Sequence, residues 1–458
     1  MKTNFRLRSL VILVVVALAL LPALSTVKAQ DKTVVTWFIG LGTGTQAQQL
    51  EAQKAVADAF NASQDKIELQ LHIAANNQAA PDELAVLLQS PDTAPDIVGP
   101  TGFSGANAFA GSWMDIRPLV EAAGYDLKQF PESLVNLYEA GDEGLLGVPF
   151  AVYPGVLYYN KDLFDEAGLA YPPNEFGAKY ELNGAEVDWS WDTVAEVAKI
   201  LTVDANGNDA TSADFDAAAI EQYGFVHQWA IQRSEWYTFG GFEIVGADGK
   251  VVLPESARAE TQWVWNGIWK DHFIPSSTAS GSALLQPSEF ASGKVGMARV
   301  MLWYTCCLGD LKSNWDIGVV PSYNGTYYAP ADADTFRILK SSKNPEAAFE
   351  VMQYLLGDGA LQLLTAYGAF PARADIQESF VKALSEKYPS VTNWQIIQPS
   401  LEKAPSPHHE SYVPNYNKVN DRLTTFRQLV YGDTGKDLDV NAELDKLQAD
   451  LQTLVDEK

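Results

Sequence analysis

The stretch Val148-Pro-Phe-Ala-Val-Tyr-Pro-Gly-Val-Leu-Tyr-Tyr-Asn-Lys-Asp-Leu-Phe-Asp-Glu-Ala-Gly168 constrains the chain more than any other. It opens as a nearly unbroken apolar and aromatic run, the pattern of a strand buried on both faces. At Asn160-Lys-Asp the spacing turns helical, and the segment stops at Gly168 before Tyr-Pro-Pro. A buried strand with a large part of the chain on either side predicts a crossing between two lobes. Length agrees: of 458 residues, about 430 remain after the leader described next, more than one hydrophobic core usually holds.

Residues 1–29 read as a secretory signal. Lys2, Arg6 and Arg8 precede the apolar run Leu10–Leu21, and Val27-Lys-Ala29 places small residues before Gln30. That run is too short to span a bilayer comfortably. Losing the leader's four cations takes the formal charge from −26 to −30. Such acidity argues against nucleic acid and anionic lipid as partners and leaves a neutral ligand open. The chain's two cysteines are the adjacent Cys306 and Cys307. In an exported protein they are either a vicinal disulfide or two small buried thiols. No further ligands flank them, so no metal site is expected there.

From the mature start, Thr33–Ile39 reads as a strand ended by Gly40-Leu-Gly-Thr-Gly-Thr45, followed by a helix with Val56, Ala59 and Phe60 on one face. Ile67–Ile73 alternates at period two, Asp82–Leu88 reads as a helix and Pro95–Val98 as a third strand. This β-α-β-α-β order implies a parallel sheet covered by helices. Ligands of such sheets sit at the carboxyl ends of the strands, which puts 40–45 and 99–104 at the mouth of a cleft. Further on, Ser190 caps a helix striped by Val194, Val197, Ala198 and Leu201. A turn at Gly293-Lys-Val-Gly-Met-Ala298 leads into a strand, and Asn344-Pro345 opens a helix with Ala348, Val351, Met352 and Leu355 buried. Leu444, Leu447, Leu451 and Leu454 mark a C-terminal amphipathic helix.

The crossing with its Tyr159-Asn-Lys161, the Gly293–Ala298 turn, Ser341-Ser-Lys-Asn-Pro-Glu-Ala-Ala348, Pro371-Ala-Arg373 and the leucine-striped C-terminus occur in an order covering nearly the whole mature chain. In this the chain closely resembles the extracellular solute-binding proteins of ABC importers, in the sugar-binding, maltose-binding-protein-like class. The resemblance implies an α/β fold of two lobes (type II), each a mostly parallel sheet flanked by helices, joined by hinge crossings. Carried onto this chain, residues 31–150 plus 331–372 form lobe one, and 151–330 plus 373–458 form lobe two. It also implies capture of a carbohydrate by hinge closure and delivery to a membrane permease, by a monomer without a cofactor. No cysteine follows the leader, so the lipid anchor of many relatives is not expected, and the protein is placed free in a periplasm or outside the cell.

Twelve tryptophans and nineteen tyrosines suit a sugar site, because sugar C–H faces pack on rings while hydroxyls need dense polar partners. The ligand-binding candidates are Gly42, Thr43 and Thr101 at the strand ends and Tyr153 in the crossing. Trp303 and Tyr304 stand where the family commonly stacks a sugar, and Trp236, Tyr237 and Gly240 in a second aromatic region. Asp334 and Arg373 complete the set.

Three other patterns read as structure. Gly40-Leu-Gly-Thr-Gly44 lacks the third glycine of a dinucleotide loop, since Thr45 stands there. Asp204, Asn206 and Asn208 alternate as in calcium loops, but glycine comes fourth and no glutamate twelfth, so a hydrated turn is favoured over calcium. His408-His-Glu410 lacks a third histidine nearby and reads as a solvated loop. No nucleophile or zinc-protease motif occurs. A glycan-degrading enzyme and a sensory ligand-binding subunit stay open as rival functions.

Overall fold

A computed structural model describes residues 32–140, 143–405 and 408–457; the leader read at 1–29 lies outside them. The strands, in chain order, are β1 (Thr33–Ile39), β2 (Ile67–Ile73), β3 (Ile97–Thr101), β4 (Val148–Asn160), β5 (Lys179–Leu182), β6 (Ala185–Asp188) and β7 (Val203–Asp204), then β8 (Ile220–His227), β9 (Val295–Met301), β10 (Trp315–Gly318), β11 (Ser322–Tyr323), β12 (Thr326–Tyr327), β13 (Ala331–Ile338) and β14 (Phe370–Pro371). β5–β6 and β11–β12 are small hairpins, and the other ten strands form one sheet in the order β2-β1-β3-β13-β4-β9-β8-β7, with β10 and β14 also on β4.

β1 pairs parallel with β2 and β3, as a β-α-β-α-β unit must, and β8 pairs parallel with β9. The strands that carry the chain between the two halves pair antiparallel with β4. All thirteen residues of β4 are buried, and the strand changes partners midway. Val148–Pro154 pairs with β13 and β14, while Gly155–Asn160 pairs with β9 and β10. At the changeover Gly155 donates its N–H to the Pro330 carbonyl at 2.8 Å. A Cβ at Gly155 would lie 2.7 Å from that oxygen, so the two crossing segments meet where only glycine fits.

Local chemistry sets the element ends. The Asn160 side chain accepts from the N–H groups of Asp162 and Leu163 and starts the helix Lys161–Glu166, turning the crossing strand straight into a helix. Ser190 caps Trp191–Ile200 through the Thr193 N–H, and the Val194, Val197, Ala198 and Leu201 stripe is buried. The valine and leucine side chains each contribute roughly 1.5–3 kcal/mol on leaving water. Two expectations need adjusting. On the helix Ala47–Ser63 the buried face is Gln49, Gln53, Val56, Ala57 and Phe60, with Ala59 outside. Asn344 stands at the N-cap of Pro345–Leu356, yet its amide bonds the Val34 carbonyl of β1 instead of capping. No described helix is long and apolar enough to cross a membrane.

Candidate functional site

A cavity of ≈ 360 Å³ opens between the two halves of the sheet. Its walls come from the carboxyl ends of the parallel strands on both sides, where such sheets place ligands. β1 delivers Leu41, Gly42 and Thr43, and β3 delivers Gly102, Ser104 and Gly105. From the other half, β8 delivers Gln228, Trp229 and Ala230, and β9 leads to Trp303, Cys306 and Cys307. The β1 loop holds its shape because Gly44 has φ +101°, where a Cβ would lie 2.2 Å from Ile39 Cγ2. The floor is the crossing itself. Asp332 and Asp334, two apart on β13, share one face, and Tyr153 of β4 lies opposite Asp332 in the register.

Trp229 and Trp303 form a pair of near-parallel indoles, centroids 6.2 Å apart and planes 10° apart. Trp229 is 53% exposed and held at φ +51°, an unusual backbone state for a bulky residue and one that gathers at functional sites. Trp303 donates its indole N–H to Asp332 at 2.8 Å. Next to the aromatic pair the lining is rich in acceptors. Tyr153 donates to Asp334 Oδ2 at 2.8 Å, His409 Nε2 lies 3.1 Å from Asp332 Oδ1, and Glu410 Oε2 accepts from the Ser104 N–H at 3.3 Å. Arg299, buried to 1% exposure, adds a guanidinium bonded to Ser234 at 2.8 Å.

Protonation follows from burial and neighbours. Burial pushes Asp334 up to about 7 against the pull of the Tyr153 hydroxyl, with Asp332 adding to the rise. Glu410 is pushed up to about 8 by burial and by the Asp332 charge. Asp332 is held below the ordinary carboxylate value because, although burial opposes ionisation, the His409 and Trp303 donors outweigh it. Burial lowers His409, so a neutral ring donates from Nε2 and keeps Nδ1 as an acceptor. The cavity therefore holds one carboxylate whose ionised form is favoured, Asp332, beside two, Asp334 and Glu410, whose ionisation burial opposes.

Of the residues singled out from sequence, Gly42, Thr43, Tyr153, Trp303 and Asp334 line this cavity. The others lie off it, each with a structural task. Thr101 is buried and bonds the Gly102 carbonyl beneath the floor. Trp236 is enclosed and donates to Thr261 at 2.8 Å, and Tyr237 bonds the Phe242 carbonyl. Gly240, at φ +154°, turns the chain beside Ser256 and Tyr328. The Tyr304 hydroxyl is bonded to Ser288, and its ring meets the face of Trp229 edge-on from behind. Arg373 bonds the Leu356 carbonyl and Asp375.

Cys306 and Cys307 are free thiols on the cavity wall, so the disulfide alternative is not the state of this structure. The Asp204 carboxylate accepts from the N–H groups of Asn206, Asn208 and Asp216 and from the Asn208 amide. Burial alone would raise its pKa, but those donors hold it at about 2. Its oxygens thus accept the hydrogen bonds of an Asx turn, with the Asn206 and Asn208 N–H groups as donors.

The reading of His408-His-Glu410 as a solvated loop is overturned. His408 packs on Phe103 and its ring stacks on His409 with centroids 4.4 Å apart. The backbone of this segment joins the two halves. The Glu410 carbonyl accepts from Asn107, and the Ser411 carbonyl accepts from Arg233. Asp332, His408 and His409 also bring ligand-type atoms within 4.8 Å of one another, the metal-ligand geometry found among the described residues. Those atoms are mostly committed. His408 bonds the Ala331 carbonyl and the Glu410 N–H, and His409 Nε2 bonds Asp332.

Sequence reasoning missed Gln228, Trp229, Arg299, Asp332, His409 and Glu410. Two signals were present. Trp229 follows a strand that pairs parallel, and Ala331-Asp-Ala-Asp334 alternates at period two, so Asp332 shares the face of Asp334.

A sheet split between two halves, with a polar, aromatic cavity at the strand ends of both, defines a two-lobed ligand-binding protein. Comparison with known proteins makes this specific. Residues 43–362 match the family described as bacterial extracellular solute-binding protein, and the chain belongs to that family. Proteins from Brucella abortus (strain 2308) and Brucella suis biovar 1 (strain 1330) are each 26% identical to it over 221 residues, 46% of either chain. The match thus spans about half the length of these curated relatives. Among solved structures, the Listeria monocytogenes ABC substrate-binding protein in complex with cycloalternan superposes with TM-score 0.71 at 18% identity, covering 93% of this chain and 100% of that one. Maltose-bound MalE3 of T. maritima gives 0.67 at 20% identity, covering 92% and 100%. The GacH receptor of Streptomyces glaucescens, solved unliganded and with acarbose, gives 0.69 at 15% identity, covering 94% and 100%. These likenesses establish the fold.

Proposed function

We propose that the protein is the substrate-binding component of an ABC import system, capturing a mono- or oligosaccharide between its lobes and delivering it to a membrane permease. The observation that carries this is the Trp229–Trp303 pair lining the same cavity as Asp332, Asp334 and Glu410. Flat indoles match sugar C–H faces, and dense acceptors match hydroxyls. Cycloalternan, maltose and acarbose are bound by proteins of the same fold.

Lobe one is taken as 31–150 plus 331–372 and lobe two as 151–330 plus 373–458. The change of partners along β4 at Pro154–Gly155 supports that division. Opening and closing then turn on the crossings, and a ligand touching both walls shifts the equilibrium to the closed form. The protein acts as an exported monomeric carrier without catalysis, and its acidic surface disfavours nucleic acid.

One observation favours the rival, a glycan-degrading enzyme. Asp334 and Glu410 hold protons near neutrality beside ionised Asp332, a pairing that glycosidases use. Incubation with an oligosaccharide panel separates the two readings. A carrier raises its melting temperature and leaves the sugars intact, whereas shortened products establish the enzyme. A sensor subunit would bind equally well but deliver its ligand to a receptor, so uptake assays with the neighbouring permease genes distinguish it.

A further inference from the structure

We infer that the ligand carries a protonated amine, as an amino sugar does, seated on Asp334, Glu410 and His409 with its ring against Trp229 and Trp303. This rests on the carbohydrate reading above and narrows it. Asp334 engages Tyr153 through Oδ2, and Oδ1 accepts no hydrogen bond among the described residues. Glu410 uses Oε2 for the Ser104 N–H and leaves Oε1 unengaged. His409, 2% exposed and on the cavity wall, leaves Nδ1 without a partner.

The two carboxylates converge at Gly102. A Cβ built there would lie 3.3 Å from Asp334 Oδ1 and 3.8 Å from Glu410 Oε2. Asp334 Oδ1, Glu410 Oε1 and His409 Nδ1, on three residues that line one cavity, are thus open to donors. An ammonium group supplies three N–H donors and no acceptor, whereas a hydroxyl supplies one donor and brings lone pairs of its own. Unpartnered buried acceptors are costly, and a charged donor recovers more than a neutral one.

The surrounding donors do not fill this corner. Gln49 and Gln228 line the cavity but spend their amides on Gly44, Thr43, Glu289 and Phe290. Arg299 stands on the opposite half and bonds Ser234. Arg233 is turned to the Ser411 carbonyl.

The same chemistry is offered by a linear polyamine, so the test has arms for both sources. Full-length mature protein is titrated calorimetrically with paired hexoses: glucose with glucosamine, galactose with galactosamine, and mannose with mannosamine. Cellotriose, its N-acetylglucosamine analogue and its free-amine glucosamine analogue are titrated alongside, with spermidine as the arm without a ring. The inference expects at least one free-amine sugar to bind about tenfold or more tightly than its hydroxyl and N-acetyl counterparts. The Asp334→Asn, Glu410→Gln double variant should erase that ratio while keeping the wild-type circular dichroism spectrum. Trp229→Ala should weaken both members of a pair alike and preserve the ratio.

Neutral sugars that bind as tightly as their amines in every pair overturn the inference and leave the carbohydrate reading standing. Retention of the ratio in the double variant also overturns it. Spermidine binding more tightly than every amino sugar removes the sugar and retains only the amine. Silence across the whole panel overturns both readings.

Discussion

Asp334→Asn isolates the electrostatic cost built into the cavity floor. The ordinary carboxylate value is 3.8 and the folded-state value about 7, so in that interval the folded protein keeps a proton that the unfolded chain has lost. Stability therefore falls as pH rises from about 4 to about 7 and stays lower above that. At 1.36 kcal/mol per pKa unit the full difference is about 4 kcal/mol, an upper bound because Asp334 borders the open cavity. Asparagine keeps the shape and an acceptor for the Tyr153 hydroxyl but cannot ionise. Urea unfolding of wild type and variant at half-unit steps from pH 4 to 8 provides the measurement. Taking the difference at each pH cancels the titrating groups that do not interact with Asp334, leaving Asp334 and its neighbours Asp332 and Glu410. The variant should match or trail wild type at pH 4 and overtake it by several kcal/mol at pH 8. A difference constant to within 1 kcal/mol, or one moving the other way, would refute the reasoning about burial. A bound ammonium should flatten the wild-type profile, because a cation at Asp334 restores its ordinary ionisation.

Three further outcomes follow from other parts of the molecule. Trp229→Ala removes an exposed ring and should leave the melting temperature nearly unchanged while weakening sugar binding by about 0.5–1.5 kcal/mol, roughly 2- to 13-fold by calorimetry. Gly224→Ala should be severely destabilising, by about 3 kcal/mol or more in urea unfolding, because a Cβ there would lie 1.9 Å from the Ala198 backbone oxygen and neither β8 nor the capped helix can give way. Glu235→Ala should cost about 3 kcal/mol, at the lower end for a broken buried pair, since it strips Arg427 of its 2.8 Å partner and Tyr431 of its acceptor while Arg427 keeps some solvent access. Thermal melts of Glu235→Ala and Glu235→Gln should place the amide variant between alanine and wild type.

Much of the fold could be read from residue pattern because the decisive signals are local. The unbroken apolar run of β4, the period-two alternation of β2 and the Ser190 cap each depend on neighbours within a few positions. The cavity was legible where a local signal coincided with a strand end, as at Gly42, Thr43 and Trp303, and on the crossing strands at Tyr153 and Asp334. Aromatic residues show the limit. Trp236 and Trp303 carry the same ring and stand in similar aromatic surroundings in sequence. One is sealed by Thr261 and the other faces the cavity, and only long-range packing decides which. His408-His-Glu410 failed for a related reason. A polar run reads as solvated until a distant partner covers it, and here Phe103, Ala331 and Asp332 do so from up to about three hundred positions away.

The strand-end rule reaches further than residue type when it is applied to both halves. Parallel pairing of β8 with β9 sends both strands toward the cavity, so the residues immediately after them, Gln228-Trp229 and Trp303, must arrive at the same wall. Two tryptophans then meet because they end adjacent strands, whatever the loops beyond them do. The crossing strands β4 and β13 add what loops cannot, a rigid floor whose side chains are fixed by ladder register. Asp332, Asp334 and Tyr153 are thus pre-positioned before any ligand arrives, while the aromatic pair sits on the other half of the sheet. On the proposed reading, closure around the changeover at Gly155 couples ligand capture to lobe position, because the floor and Trp229 belong to different halves of the sheet.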